Sequence, residues 1–344
     1  MLEAVTSSIA ADVPVLLWGA PGTGKTAVVR DLAAKAGAHL EVLVGSILDP
    51  VDVSGIPVPD AKGEVHLSPP AWVRRMRAAL DSGRDAWLFL DELSCAPSSV
   101  QAALLRVVQE RHVGDVDITG CRMIAASNRA EHAADGGTLA AATANRWLHL
   151  DWQTPTASEW VIGESTGWGR TKPSPSALAV IGLIGGFLTR FPAAILEPPK
   201  HGGSDAWPSP RSWSALVRVL TEAGGVTSPV APMLANGLVG PGRGGEFFAW
   251  ASAQDLPDPE SVLAGATLKN LRPDQMGATL VAVATAATAE HPARKKRIAR
   301  AAEVLGGVRP DVAIPAAKIL CAGSPESSDL PEIRALLSRL RVAL

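Results

Sequence analysis

Five short apolar runs punctuate the first part of the chain: VPVLLW (13–18), LEVLV (40–44), AWLFL (86–90), CRMIAAS (121–127) and WLHLDW (147–152). Runs of this length between turn residues predict buried strands. Helical patterns fall between most of them. Strands alternating with helices predict an α/β class, a parallel sheet covered by helices on both faces.

After about Asp151 the strand runs stop and a different signal repeats. Thr154–Pro155, Ser174–Pro175 and Ser209–Pro210 each place a capping hydroxyl before a proline. That pair predicts a helix N-cap followed by its first helical position. A further break falls at AQDLPDPES, and the last stretch reads as more helices, including PDQMGATLVAVATAATAEH and LPEIRALLSRLRVAL. The pattern predicts three segments: an α/β core over 1–153, a helical domain over 154–254, and a helical extension over 255–344.

Composition narrows this only a little. The 344 residues are 47 % apolar, enough for a sizeable core, and the net charge of −2 gives no general pull toward nucleic acid or anionic membrane. The three cysteines, Cys95, Cys121 and Cys321, lack metal-type spacing and read as core residues in a reducing compartment. The opening MLEAVTSSIAADV has neither a basic start nor a long apolar centre, so no signal peptide is expected. The best membrane candidate, SALAVIGLIGGFLT (176–189), is shorter than the roughly 20 residues a span requires. The expectation is a soluble cytoplasmic protein with no membrane partner.

The chemistry begins with GAPGTGKT, Gly19 to Thr26, set between a strand and a helix. This is the full phosphate-loop pattern in its proper context. The stretch Gly19, Ala20, Pro21, Gly22, Thr23, Gly24, Lys25, Thr26 and Ala27 predicts a nucleotide site. Glycines let backbone N–H groups turn onto phosphates, and the helix N-terminus adds its positive end. Lys25 would reach the outer phosphate oxygens and Thr26 would hold Mg²⁺.

The strand WLFLDE supplies the next parts. Asp91 is the expected second partner of Mg²⁺, and Glu92 the general base that polarises the attacking water. The strand RMIAAS delivers Asn128, which would orient that water between Glu92 and the γ-phosphate. A plain turn residue is the other reading of Asn128.

This ordered set resembles the AAA+ ATPases, and within them the MoxR-like branch. LDELSCAPSSVQAALLRVVQER, DPVDVSGIPV, ANRWLHLDW and SPRSW carry the resemblance, which covers roughly 1 to 240. It implies a P-loop AAA+ core with a five-stranded parallel sheet, an all-α lid over 154–254, and ATP with Mg²⁺ as nucleotide and metal. ATP in place of GTP rests on the resemblance, together with the lack of an NKxD-type guanine motif. Only 18 residues precede Gly19, fewer than AAA+ proteins usually carry there.

The resemblance also implies two arginine roles. Arg146 would be an arginine finger for a neighbouring subunit's nucleotide, at the C-terminal edge of the sheet. A surface arginine paired with a carboxylate is the alternative. Arg211 would be a lid arginine that senses the γ-phosphate, placed in a first helical turn where a cation opposes the dipole. Arg111 is a weaker candidate that could be purely structural.

GIPVPDAKGEVHLSPPAWV and RHVGDVDITGCR read as hairpins. In this branch such loops face a central pore and touch substrate, and passive surface turns are the alternative. Neither carries the aromatic residue of unfoldase pore loops. Ten tryptophans, scattered, read as packing, not as a stacking track for bases. PARKKRIAR (292–300) reads as a solvated basic face.

The resemblance thus implies an ATP-hydrolysing motor that acts as a homo-oligomeric ring, a hexamer, and remodels, matures or helps assemble a client protein. A partner with a von Willebrand factor A-type domain fits the same branch. A nucleic-acid motor or loader is the second reading, disfavoured by the near-neutral charge. An ATP-dependent binding switch with low turnover is the third, disfavoured by the intact set of Glu92, Asn128 and Arg146.

Overall fold

The computed structural model describes residues 1–129, 138–168, 173–199, 205–253, 256–322 and 330–340. The chain divides into two compact units, Met1–Thr154 and Pro155–Leu344.

In the first unit the strands are β1 (Val15–Trp18), β2 (His39–Val44), β3 (Ile56–Pro59), β4 (Val65–Ser68), β5 (Ala86–Asp91), β6 (His112–Val113), β7 (Val116–Asp117), β8 (Arg122–Ser127) and β9 (Leu148–Asp151). Its helices are α1 (Leu2–Ala10), α2 (Lys25–Lys35), α3 (Pro50–Ser54), α4 (Ala71–Asp81), α5 (Ser98–Glu110) and α6 (Ala141–Ala144). The five strands expected from the apolar runs form one sheet in the order β2-β5-β8-β1-β9, every pair parallel.

Alternation along these strands divides their side chains between two layers. Val15, Leu17, Trp87, Phe89, Ile124 and Ala126 pack with Val5 and Ile9 of α1 and Val29 and Ala33 of α2. Leu16, Leu88, Leu90, Met123 and Ala125 pack with α4 and α5 through Trp72, Val73, Met76, Val100 and Leu104. Both faces are covered, which is why the central strands read as continuous apolar runs.

The two expected hairpins are present: β3 pairs with β4 and β6 with β7, both antiparallel. They touch each other, since Leu67 N donates to Asp115 Oδ2 at 3.1 Å. Arg111 sits before β6 and donates to the Asp12 carboxylate at 3.2 Å.

The second unit is helical: α7 (Ala157–Thr166), α8 (Pro175–Arg190), α9 (Pro210–Glu222), α10 (Ala231–Val239), α11 (Pro241–Ser252), α12 (Pro259–Leu263), α13 (Pro273–Thr288), α14 (Arg294–Gly306), α15 (Pro310–Ala322) and α16 (Pro331–Leu340). Ser174 and Ser209 cap α8 and α9 with prolines at the first position, as the sequence pattern predicts. The third cap is corrected: Thr156, not Thr154, caps the first helix. Its hydroxyl accepts from Glu159 N while Glu159 Oε2 accepts from Thr156 N at 2.8 Å. This reciprocal box satisfies two donors, which Thr154 with Pro155 could not match.

Helices on both sides of residue 254 share one core. Gly182 of α8 faces Val281 of α13 so closely that a Cβ on Gly182 would lie 2.3 Å from it. Trp160, Phe187, Trp213 and Phe247 are fully buried there. Among the described residues no helix is long and apolar enough to cross a membrane.

Candidate functional site

In a parallel sheet all strands end at one edge, and ligands of such sheets sit outside those ends. Here the ends of β2, β5, β8 and β1 deliver Ser46, Asp91 with Glu92, Asn128 and the loop from Gly19 to that edge.

The loop is shaped by its glycines. Gly22 and Gly24 hold φ of 76° and 95°, a region that suits residues without a Cβ. Gly19 has a different constraint: a Cβ there would lie 2.7 Å from the carbonyl oxygen of Trp152. Trp152 follows β9 and also donates its indole N–H to Thr23 O at 3.2 Å. Thr23 Oγ1 in turn donates to Ala20 O at 2.8 Å. Pro21 falls within this closed turn, and Ala27 lies in the first turn of α2.

Lys25 opens α2 and is buried, adding its charge to the positive end of the helix. Its ammonium donates to Gly19 O at 2.7 Å, Ala20 O at 3.0 Å and Asn128 Oδ1 at 3.0 Å. Thr26 Oγ1 donates to Asp91 Oδ2 at 2.6 Å. A hydroxyl and a carboxylate brought this close offer hard oxygen donors of the kind Mg²⁺ takes. The donor set therefore fits the ion.

Glu92 stands directly after β5 in a left-handed conformation, φ 55°. Such backbone is uncommon for a residue with a side chain. It redirects the chain into the turn Leu93–Cys95, whose Ser94 N donates to Ser127 Oγ at 3.0 Å. The exposed Glu92 carboxylate accepts from Ser46 Oγ at 2.7 Å. Gly45 allows that approach, because a Cβ there would lie 2.7 Å from Glu92 O.

Arg146 requires a correction. It precedes β9, whose Leu148 is in register with Val15, the first residue of β1. It therefore lies at the N-terminal edge of the sheet, opposite the phosphate loop, and not at the C-terminal edge. A strand begins at the edge opposite to the one where it ends. Its guanidinium donates to Gln109 Oε1 at 2.7 Å through Nη2 and also to Ala142 O.

Arg211 lies in the first turn of α9, in the second unit, and is exposed. Among the described residues its guanidinium has no hydrogen-bond or ion-pair partner.

Ser46, Ser127 and Trp152 were not singled out by sequence reasoning. Ser46 had a weak signal: like Asn128 it is a polar residue just past the end of a strand. Ser127 and Trp152 had none, since their contacts depend on strand order.

Residues 14–146 match the AAA domain of the dynein-related subfamily. With the strand order and the phosphate loop, this decides the fold. The first unit has the AAA+ P-loop fold. A RuvB mutant from Thermotoga maritima is similar at 16 % identity, over 76 % of this chain and 73 % of that one, with a TM-score of 0.38. A putative ATPase from Cytophaga hutchinsonii is similar at 20 % identity, over 70 % of this chain and 80 % of that one, with a TM-score of 0.35. No curated protein matches the sequence.

Proposed function

We propose that the protein is a Mg²⁺-dependent ATPase of MoxR-like type that works as a hexameric ring and remodels, matures or helps assemble a client protein. The observation that carries this reading is the meeting of Lys25, Thr26, Asp91, Glu92 and Asn128 at one edge of one sheet. A fold can host many functions, so the reading rests on these side chains and not on the fold.

In this reading the amides of Gly19 to Ala27 cradle the phosphates and Lys25 neutralises their outer oxygens. Thr26 and Asp91 would hold Mg²⁺, which would supply positive charge opposite the phosphate oxygens. Glu92 takes the proton of the attacking water. Asn128 accepts from Lys25 through Oδ1, which leaves its Nδ2 group to donate toward that water. Arg146 serves a neighbour's nucleotide, and Arg211 is the γ-phosphate sensor. The β3–β4 hairpin, with Ile56, Val58 and Val65 exposed by 57 %, 46 % and 65 %, offers an apolar contact for the client. A von Willebrand factor A-type partner fits the same assembly.

The test is phosphate release by the purified protein with Mg²⁺ and with chelator, in wild type, Lys25→Ala and Glu92→Gln. Lys25→Ala should lose nucleotide binding, because Lys25 meets ground-state phosphates. Glu92→Gln should bind ATP and lose turnover, because Glu92 acts on water in the transition state. Equal turnover in Glu92→Gln and wild type removes the base from Glu92.

A further inference from the structure

The imidazole of His149 joins two ends of the sheet that the backbone keeps apart. Trp18, the last residue before the phosphate loop, donates its indole N–H to His149 Nδ1 at 2.8 Å. The other ring nitrogen, Nε2, stands 2.8 Å from the carbonyl oxygen of Ala144. An indole nitrogen can only donate, so Nδ1 must accept. The neutral ring then carries its hydrogen on Nε2 and donates it to Ala144 O. Ala144 is the last residue of α6, and its carbonyl oxygen also accepts the Trp147 N–H at 3.3 Å. The turn that follows carries Arg146.

We propose that His149 is a positioning residue that fixes the Arg146 turn against the phosphate-loop strand, so that the finger reaches the neighbouring nucleotide in one geometry. This rests on the ring reading of Arg146.

The two ends of the bridge differ in firmness. Trp18 ends a strand paired on both sides, with β8 and with β9. Its ring is nearly parallel to that of His149, 22° apart with centroids at 6.0 Å, and Arg129 lies over it at 5.7 Å. Arg129 is itself ion-paired with Asp151. The other end, α6, is a four-residue helix held to α5 by Arg146 with Gln109 and by Ala140 N with Gln101, with the buried Trp147 anchoring the chain just after Arg146. Breaking the bridge should release the α6 turn and leave the phosphate loop in place. Small misplacement of a group that acts in the transition state costs turnover more than binding.

The experiment mixes subunits. Lys25→Ala subunits lose their own nucleotide but keep Arg146, so they should restore turnover to Arg146→Ala subunits. His149→Phe is then placed on one side at a time. On the donor, as Lys25→Ala/His149→Phe, it should reduce the restored rate by about 10- to 100-fold. On the acceptor, as Arg146→Ala/His149→Phe, it should leave the rate within about twofold of the control, with KM unchanged, since only the donor's finger is affected. His149→Gln, whose amide can accept from Trp18 and donate to Ala144 O, should restore the donor. Trp18→Phe, which keeps an aromatic ring and removes the N–H, should damage the donor as His149→Phe does.

Equal loss on both sides, or a His149→Phe donor as effective as its parent, overturns the proposal. If Lys25→Ala fails to restore Arg146→Ala at all, the ring reading fails, and this inference falls with it. The control separates the two failures.

Discussion

Ser46 Oγ donates to Glu92 Oε2 at 2.7 Å, across the ends of neighbouring strands β2 and β5. The bond occupies one lone pair of Oε2, which makes Oε1 the more basic oxygen, and it restrains the carboxylate to one orientation. Ser46→Ala should therefore lower kcat several-fold, less than the roughly 10- to 150-fold that about 1.5–3 kcal/mol for a buried bond to a charged group would give, because this bond is exposed to water. KM should stay within about twofold, because the bond does not touch the phosphates. Steady-state kinetics check this. An unchanged kcat would show that Glu92 needs no such restraint, and a raised kcat would show that Ser46 holds it away from the water.

Two glycines of the phosphate loop are required for different reasons, and alanine separates them. At Gly24 a Cβ has open space around it, but φ is 95°. The cost there is conformational, about 1 kcal/mol or somewhat more. At Gly19 the backbone has no such restriction, yet a Cβ would lie 2.7 Å from Trp152 O. That oxygen is hard to move, since Trp152 N is bonded to Trp18 O at 2.6 Å. Gly19→Ala must shift either the loop or the end of β9. It should weaken nucleotide binding by about 5- to 150-fold, the equivalent of the roughly 1–3 kcal/mol that overpacking typically costs. Titration with a fluorescent nucleotide analogue measures both variants. Wild-type affinity in Gly19→Ala would mean that the contact with Trp152 yields freely.

These cases show what the sequence could and could not tell. The three central strands were legible because they are apolar on both faces, the edge strands β2 and β9 because short runs bounded by turn residues mark them, and the phosphate loop because its pattern is local. Thr156 was missed because a proline at 155 outweighed a capping box two residues later. The edge of the sheet on which Arg146 lies was misjudged because it depends on strand direction, and not on nearness to the last motif. The pairing of Ser46 with Glu92, and of Trp18 with His149, was not legible, although Ser46 itself carried a weak signal. Each pair meets through strand order, across 46 and 131 residues of chain.

In the helical unit, Trp213 sets the core. It is fully buried, its ring centroid is 5.7 Å from that of Phe187 and 6.0 Å from that of Phe247, and its indole donates to Ala194 O at 2.8 Å. Trp213→Ala removes the packing and leaves the Ala194 carbonyl without that donor. The expected loss is about 3–5 kcal/mol. Denaturant unfolding followed by circular dichroism checks it. A loss below about 1 kcal/mol would mean that the neighbouring helices close the cavity.

In the proposed ring, Arg146 would complete the site of a second subunit. Register pairs Val15 with Leu148 and Trp18 with Asp151, so Arg146 and the phosphate loop lie beyond opposite ends of the same strand pair. Three strand steps at about 3.3 Å separate those ends by roughly 10 Å before either flanking segment is counted. The guanidinium is also turned toward α5 and α6, through Gln109 and Ala142. Arg146 is thus poorly placed for its own nucleotide. A finger that acts in trans needs a head-to-tail interface, and such an interface closes into a ring when the rotation allows. Arg146→Ala should bind ATP with wild-type affinity and lose about 10³-fold or more in turnover. Wild-type specific activity should rise with protein concentration as subunits assemble, and level off once assembly is complete. A specific activity that stays constant from dilute to concentrated protein, with Arg146→Ala as active as its parent, would return Arg146 to a structural role beside Gln109.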